Sequence, residues 1–202
     1  MKQPGKLDES LHEFWVGNPW EIVSHGHNLS AYERNRVYLN VKGQDFLDIS
    51  HLTGADSDGD GRAVVAADFR NVGQMDLLVR QAGGGPLLLF ENRMPRRHSL
   101  QVSLRGHASN RQGIGARLVA VANGQQIVRE LYPHNGFRSQ TPNVVHFGLA
   151  DATTVDTLTI RWPSGKVQTL KNVKGDRHII VDEDKDGPDA IETVVPGKSQ
   201  VP

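Results

Sequence analysis

Short runs of apolar and β-branched residues alternate with turn residues from residue 36 onward, at a spacing of about eight to twelve residues. This spacing is typical of sandwiches, barrels and propellers, in which each strand is short and ends in a turn. The 21 Gly and 10 Pro residues favour the same interpretation, because Gly weakens helix interiors and Pro breaks them. The sequence therefore predicts an all-β protein.

The predicted strands form two series, separated by the basic, proline-containing stretch at 93–97. The first series covers 36–41, 46–49, 63–68, 76–80 and 86–91, and the second covers 99–105, 116–122, 126–132, 144–149, 154–161, 167–170 and 178–182. The second series contains enough strands for a small antiparallel β-sandwich. Along its strand at 154–162, strict alternation predicts that Asp156, Leu158, Ile160 and Trp162 face the core.

Four segments are predicted along the chain. They are a partly irregular N-terminal segment at 1–35, strands like part of a propeller blade at 36–95, the β-sandwich at 96–183, and a flexible acidic and polar tail at 184–202. Only about 7–16 has a helical pattern, and the tail is predicted to be flexible because its polar, Pro- and Gly-bearing sequence offers little to pack.

Composition argues against several classes of protein. Lys plus Arg and Asp plus Glu are 23 each, so no net field attracts nucleic acid or an anionic membrane surface. There is no Cys, which excludes disulfides, thiolate nucleophiles and Cys-based metal sites. No run approaches the roughly 18 apolar residues that membrane insertion requires. Residues 1–5 also lack the apolar core of a signal peptide.

The acidic loop at 56–62 is the best candidate for a metal site. Asp56, Asp58 and Asp60 are two residues apart and Gly follows, so a tight loop could direct several oxygens at a hard cation such as calcium. A complete EF-hand loop is not expected, because Ala67 stands where its last ligand, a Glu, belongs. A solvated Asp/Gly turn between strands is the structural alternative.

A second loop, at 68–77, resembles the FG-GAP or VCBS repeat loop, whose usual form is Asp-x-Asp-x-Asp-Gly-x-x-Asp. Asp68, Gly73 and Asp76 match it, but Arg70 and Val72 stand where two carboxylates belong. Loss of two acidic ligands should abolish or weaken calcium binding here. We expect Arg70 to bridge Asp68 and Asp76 instead, which would keep the shape of the loop without a metal.

A third acidic stretch, at 182–189, follows the last predicted strand. It has alternate carboxylates followed by Gly and looks like the calcium loops of extracellular spacer repeats, although it is one residue short before the last Asp. Its position favours a solvated acidic tail over a metal site.

Residues 98–183 resemble the ASPIC/UnbV domain. The resemblance depends on three motifs in order, Ser-Asn-Arg-Gln-Gly-Ile-Gly-Ala-Arg at 109–117, His-Phe-Gly-Leu-Ala-Asp-Ala at 146–152 and Ile-Arg-Trp-Pro-Ser-Gly-Lys-Val-Gln at 160–168. Ala150 stands where the family more usually has Gly. In proteins of the cartilage acidic protein type, this domain follows FG-GAP/VCBS repeats, and 60–92 resembles the last such repeat. The resemblance implies a β-sandwich preceded by blade-like strands, and an extracytoplasmic location, but no activity.

The motif residues suggest mainly scaffold roles. Gly113 and Gly115 suggest a tight backbone passage. Trp162 ends a strand just before a turn, and we expect its indole to cover the edge of the core. The functional alternative is a ligand-binding patch in which Arg111, Arg117, Arg138 and Gln140 gather on one loop face.

No catalytic motif is evident in the sequence. A metal site at His25 and His27 lacks a third ligand, and there is no Gly-x-Ser-x-Gly nucleophile elbow. The sequence therefore favours a non-catalytic binding, adhesion or scaffold module that contacts a protein or carbohydrate surface, with calcium as its candidate stabilising ion. The alternative is an accessory carbohydrate- or ligand-binding domain of a larger secreted enzyme, with sugars stacking on Trp15, Trp20 or Tyr32. Because one blade leaves its sheet edges open, residues 36–92 are expected to be a truncated or degenerate remnant that docks on the sandwich. The alternatives are that they pair with a second copy or belong to a ring completed by upstream repeats.

Overall fold

The computed structural model describes residues 5–8, 10, 15, 17–18, 21–22, 24–25, 33–41, 43–81, 85–134 and 136–195. The chain divides into two compact units. Unit 1 comprises Met1–Val64 and Leu78–Phe90, and unit 2 comprises Val65–Leu77 and Glu91–Pro202. The helical prediction at 7–16 falls largely outside the described residues. No helix among the described residues is long and apolar enough to cross a membrane.

Five short strands carry the first predicted series. They are β1 (Tyr38–Val41), β2 (Asp45–Asp48), β3 (Gly61–Ala67), β4 (Asp76–Gln81) and β5 (Leu88–Phe90), with a single helical turn, α1 (Ser50–Thr53), after β2. Strands β1 and β2 pair antiparallel as a hairpin, whereas β3, β4 and β5 form a three-stranded sheet in that order. The division between the units passes through β3 and β4, so the loop between these two strands belongs to unit 2.

Unit 2 contains two four-stranded sheets. Their strands are β6 (His98–Arg105), β7 (Arg117–Ala122), β8 (Gln125–Glu130), β9 (Val145–Ala150), β10 (Thr154–Arg161), β11 (Val167–Lys174), β12 (Arg177–Asp182) and β13 (Ile191–Thr193). One sheet has the order β11-β10-β7-β8 and the other has the order β13-β12-β6-β9. The all-β prediction is confirmed.

One strand pair differs from the predicted antiparallel arrangement. β12 runs parallel to β6, with Ile179 opposite Val102. The strand before β12 in the chain, β11, lies in the other sheet, so β12 is not joined to its neighbour by a hairpin. A strand that crosses over from another sheet can lie in either direction, which alternation within each strand does not reveal.

The buried faces of both sheets contribute to one hydrophobic cluster, an arrangement consistent with the predicted sandwich. Its largest side chains include Leu100, Leu118, Phe147, Leu158 and Trp162, each at most 2% exposed. Burial of a side chain of this size contributes about 1.5–3 kcal/mol. This core positions the loops and strand ends that carry the polar sites.

The predicted inward face of β10 is only partly right. Leu158, Ile160 and Trp162 are buried as expected, but Asp156 is exposed and Val155 is fully buried. Asn172 has a positive φ of 54°, and the pairing between β10 and β11 is interrupted opposite it. The register is the same on both sides of this break, and the alternation of buried side chains changes phase there in both strands.

The predicted flexible tail is wrong between residues 187 and 193. A 3-10 helix at Gly187–Ala190 leads into β13, which pairs antiparallel with β12. Ala190 is 1% exposed and belongs to the core cluster. A single small apolar residue and a three-residue strand are too short a pattern to be distinguished from a loop.

The turns of the three motifs depend on left-handed backbone. Gly113 and Gly115 have φ values of 66° and 95°, and a Cβ on Gly113 would lie 2.7 Å from a side-chain atom of Leu104. Both findings confirm the predicted tight passage. Ala150, where the family more usually has Gly, has a φ of 52°, a conformation that costs a residue with a Cβ about 1 kcal/mol or more.

Candidate functional site

The loop between β3 and β4 is held by protein groups. Arg70 donates to both carboxylate oxygens of Asp76, at 3.2 and 2.9 Å, and to Glu91 Oε1 at 2.6 Å. Asp76 is 1% exposed. Burial alone would raise the pKa of Asp76, but hydrogen bonds from Arg70 and the backbone N–H of Asn92 outweigh this effect and keep the pKa below its ordinary value. Arg70 therefore holds the buried carboxylate in its ionised form.

Arg70 contacts one of its two predicted partners. It hydrogen-bonds Asp76 but not Asp68, whose carboxylate accepts instead from the backbone N–H groups of Val72 and Gly73 at 2.9 and 2.6 Å. The amide of Gln101, on β6, donates to Asp68 at 2.7 Å. These contacts leave Asp68 with three donors, and a bridging guanidinium is not needed to hold the loop.

The acidic loop at 56–62 is partly ion-paired. Asp56 lies 3.0 Å from Arg34 Nη1 and 3.0 Å from His51 Nδ1, whereas Asp58 is exposed. Asp60 is 6% exposed, and Arg62 Nη2 lies 2.5 Å from its Oδ1. That contact lacks hydrogen-bond geometry, so within the described part of the chain neither carboxylate oxygen of Asp60 has a hydrogen-bond partner.

The predicted metal ligands are not gathered into one site. Among the residues that the structure describes, no three His, Asp or Glu side chains lie close enough together to hold a metal ion. Asp68 and Asp76 are surrounded by protein donors, whereas buried Asp60 has an ion pair with Arg62 but no hydrogen-bond partner among the described residues. Calcium at 56–60 stays a prediction, and it depends on Asp60. At the other predicted metal pair, His25 Nε2 lies 3.9 Å from Glu21 Oε2, and His27 lies outside the described residues.

The third acidic stretch is not a solvated tail at its start. Glu183 is 1% exposed and its side chain accepts four hydrogen bonds: from His107 N at 2.7 Å, Ser109 N at 2.9 Å, Ser109 Oγ at 2.7 Å and Ser164 Oγ at 2.6 Å. Asp184 and Asp186, by contrast, are exposed. We call Glu183 with these three donor residues the Glu183 cluster. It joins two of the three motifs to the end of β12.

The Glu183 cluster stabilises a buried negative charge. Burial alone would raise the pKa of Glu183, but hydrogen bonds from Ser164, Ser109 and His107 outweigh it and lower the pKa from 4.5 to about 2. Next to it, Asp182 lies 3.0 Å from His107 Nε2. For Asp182 too, burial opposes ionisation, while hydrogen bonds from the Asp184 backbone and His107 keep its pKa below the ordinary value. This cluster was not predicted from the sequence, where its one signal is an acidic residue directly after an apolar strand.

A groove of about 670 Å³ in unit 2 is the best candidate for a ligand site. Its walls come from the loop after β3, the segment before β6, the ends of β9 and β13, and the start of β12. It is lined by Asn71, Val72, Gly73, Arg96, Arg97, His98, Ser99, Gln101, Ala150, Asp151, Asp176, Arg177, His178, Thr193 and Val194. A volume of this size lies in the range typical of small-ligand pockets.

We call this groove the basic groove, because three arginines, Arg96, Arg97 and Arg177, contribute to its lining. Carboxylates line it as well. Arg97 pairs with Asp151, and His98 Nδ1 lies 2.6 Å from Asp176. Arg96 donates to the carbonyl oxygen of Val72 at 3.1 Å. The sequence singled out only the basic stretch at 93–97 as a boundary. It gave no sign that Arg177, some 80 residues away, lies in the same groove.

Local backbone fixes the shape of one groove wall. Gly73 has a φ of 81°, and a Cβ there would lie 2.5 Å from Ser99 Oγ. His146 Nε2 donates to the carbonyl oxygen of Gly73 at 2.9 Å. His178 also lines the groove, its Nε2 lies 2.8 Å from Ser103 Oγ, and burial lowers the pKa of His178. The Gly73 wall is therefore held by close contacts, and the lining includes an imidazole that is neutral at neutral pH.

No hydrogen bond joins the members of the predicted ligand patch within the described structure. Arg111, Arg117, Arg138 and Gln140 are all exposed. Arg117 starts β7 and lines a smaller groove with Arg161, whereas Arg138 stacks over the ring of Phe137 at 5.3 Å. The patch stays a prediction. Of the aromatic candidates for sugar stacking, Trp15 is half-buried, and Trp20 and Tyr32 lie outside the described residues.

The fold and the polar clusters define an all-β domain of two packed sheets. Residues 106–188 match the family model described as ASPIC and UnbV. This match confirms the predicted ASPIC/UnbV domain within residues 106–188. The matched range includes Glu183 and all three residues that donate hydrogen bonds to it. No curated protein matches the chain.

Proposed function

We propose that this chain is a non-catalytic binding module that holds its ligand in the basic groove. The observation that carries the proposal is the groove itself, whose volume suits a small ligand and whose walls present guanidinium, carboxylate and amide groups. A rigid wall at Gly73 supports recognition, because a preformed site loses less entropy when a ligand binds.

The buried carboxylates support a non-catalytic role. A general acid needs a raised pKa, but the pKa values of Asp76, Asp182 and Glu183 all lie below their ordinary values. Each of them accepts hydrogen bonds from protein donors that also hold the local backbone in place. Such groups stabilise the fold and have no proton to donate at neutral pH.

Blade-like strands and an extracytoplasmic location belong to the same proposal. The three-stranded sheet of β3, β4 and β5, together with the Asp68–Asp76 loop, supports an FG-GAP/VCBS-like repeat remnant at 36–95. On the β1–β2 hairpin, Tyr38 and Phe46 are 56% and 61% exposed, which supports a further blade, from upstream repeats or another copy, as their cover. Concentration-dependent sedimentation tests the second copy, and Phe46→Ser should abolish any association.

An array of immobilised ligands tests the binding function. The labelled chain is applied to neutral glycans, carboxylated glycans, sulfated glycans and short peptides, and the bound ligands are afterwards analysed by mass spectrometry. We expect retention on one of these classes with unchanged ligand masses. Retention on none of them would contradict the binding function, and cleaved or modified ligands would contradict its non-catalytic character.

A further inference from the structure

Two guanidinium groups in the basic groove have no carboxylate partner within the described residues. Among the residues that the structure describes, the Arg96 side chain hydrogen-bonds only a backbone carbonyl oxygen, and that of Arg177, half-buried at the start of β12, makes no hydrogen bond or ion pair. Arg97, in contrast, is paired with Asp151. A guanidinium forms its strongest hydrogen bonds with carboxylate, sulfate or phosphate oxygens, so the groove favours an oxyanion.

Two carboxylates in the same groove limit how much negative charge a ligand can carry. Asp151 and Asp176 line it together with the arginines, and they would repel a densely charged polyanion. Carboxylate oxygens accept hydrogen bonds from hydroxyl groups, and the amides of Asn71 and Gln101 add further donors and acceptors. The lining therefore suits a ligand with one anionic group and several neutral hydroxyls.

The described lining of the groove has no large aromatic side chain. No Trp, Tyr or Phe is found among the described residues that line it. Neutral sugars commonly bind by stacking on such rings, so a ligand here must depend on charge and hydrogen bonds. From the unpaired arginines, the carboxylates and the missing rings together, we infer that the basic groove binds a sugar acid, either free or as a unit of an acidic glycan. This inference rests on the proposed binding function.

Arg177 places the carboxylate of the sugar acid. It lies at the groove wall formed by β12, beside Asp176 and His178, and its backbone is fixed by parallel pairing with Leu100 on β6. Its free guanidinium can donate two parallel hydrogen bonds to one carboxylate. Hydroxyls next to the carboxylate then meet Asp176, whose other partners are His98 and the Ser99 backbone N–H.

Calorimetric titration with trigalacturonate tests the inference. Its fully methyl-esterified form is the matched ligand, because it keeps the hydroxyls and the length but loses the charge. A charged hydrogen bond contributes about 1.5–3 kcal/mol, so we expect the ester to bind at least about 10-fold more weakly. The galacturonate monosaccharide separates a free sugar acid from a unit in a chain: equal affinity indicates the free acid, weaker affinity indicates the chain, and either result supports the inference.

Matched arginine variants locate the site. We expect Arg177→Gln to weaken trigalacturonate binding about 10-fold or more and Arg96→Gln to weaken it less, because Arg96 also donates to Val72. Arg129→Gln is the control, since Arg129 is exposed on β8 and its side chain donates only to the carbonyl oxygen of Val128. Circular dichroism of each variant verifies the fold.

Three results would overturn the inference. They are equal binding of the acid and its ester, unchanged affinity in Arg177→Gln, and inorganic sulfate binding as tightly as the sugar acid. Retention of neutral glycans or peptides on the array, without acidic glycans, would also overturn it while leaving the binding function intact. If no ligand class is retained, the binding function itself fails.

Discussion

Replacement of Glu183 by Gln tests whether the Glu183 cluster stabilises unit 2 through its charge. Gln keeps nearly the same shape and can keep the hydrogen bonds: its carbonyl oxygen accepts from the backbone N–H groups of His107 and Ser109, while the hydroxyls of Ser109 and Ser164 rotate to accept from its amide. The variant therefore removes the negative charge with little change in packing.

The size of the effect follows from the pKa of Glu183. The difference between 4.5 and about 2 corresponds to about 3 kcal/mol in favour of the ionised side chain in the folded state. Because the folded chain binds this proton less readily than the unfolded chain, the contribution is fully present above pH 4.5. It is lost as the pH falls through about 2. We expect Glu183→Gln to lower the free energy of unfolding by about 3 kcal/mol at pH 7, and the gap to close toward pH 2.

Urea denaturation at a series of pH values measures the gap. Trp162 is 2% exposed in the core of unit 2, so its fluorescence reports on that unit when Trp15 and Trp20 are replaced by Phe in both proteins. Asp189→Asn is the charge-matched control. Asp189 is exposed and its side chain makes no hydrogen bond or ion pair within the described residues, so the loss of its charge should change stability by no more than about 0.5 kcal/mol.

A small or pH-independent effect of Glu183→Gln would refute this reasoning. A loss below about 1 kcal/mol at pH 7, or a gap that stays constant between pH 7 and pH 2, would mean that the charge contributes nothing specific. Ser164→Ala is a second measurement, because it removes one hydroxyl donor at a cost of about 1–2 kcal/mol. With one donor fewer, the pKa of Glu183 should rise and acid unfolding should begin at a higher pH.

Three further predictions concern the other polar sites and one turn. Arg70→Met should lower the melting temperature by several degrees, because it leaves buried Asp76 without its cation, and millimolar calcium should not restore the melting temperature. Arg93→Met is the control, since the Arg93 side chain is 83% exposed. Ala150→Gly should raise the free energy of unfolding by about 0.5–1 kcal/mol in urea denaturation, because Gly adopts the left-handed φ without strain, and a loss of stability would contradict this. Calorimetry should show heat of binding and a higher melting temperature in millimolar calcium, and Asp60→Asn should abolish both effects. If the unmodified chain shows neither effect, the predicted calcium site is wrong.

Alternation and turn residues predicted most of the strands, because both are local properties of the sequence. In β10, for example, Leu158 and Ile160 are buried as predicted. The prediction is wrong where a non-local feature intervenes, as at the left-handed Asn172, and where the pattern is short, as in β13. Neither the parallel pairing of β12 nor the break opposite Asn172 has a signal in residue spacing alone.

The polar clusters were harder to predict because their members are distant in sequence. Glu183 receives hydrogen bonds from Ser109 and Ser164, which are 74 and 19 residues away. A carboxylate flanked by Asp182 and Asp184 in a run of charged residues is expected to be solvated, and only the packed strands bring these donors to it. Likewise, Arg96 and Arg177 come together only because β6 and β12 are neighbours in the sheet.

Arg70 shows how the loop after β3 differs from the calcium loop that it resembles. Its guanidinium lies at 2.6 Å from Glu91 and binds both oxygens of Asp76, so it supplies within the chain the positive charge that a bound cation would supply from outside. A guanidinium stays charged at any physiological pH and cannot dissociate. The loop, together with the groove wall at Asn71–Gly73 that it carries, should therefore keep its shape when calcium is removed, even if the separate loop around Asp60 binds the ion. Ligand binding in the groove should accordingly be unchanged by a calcium chelator.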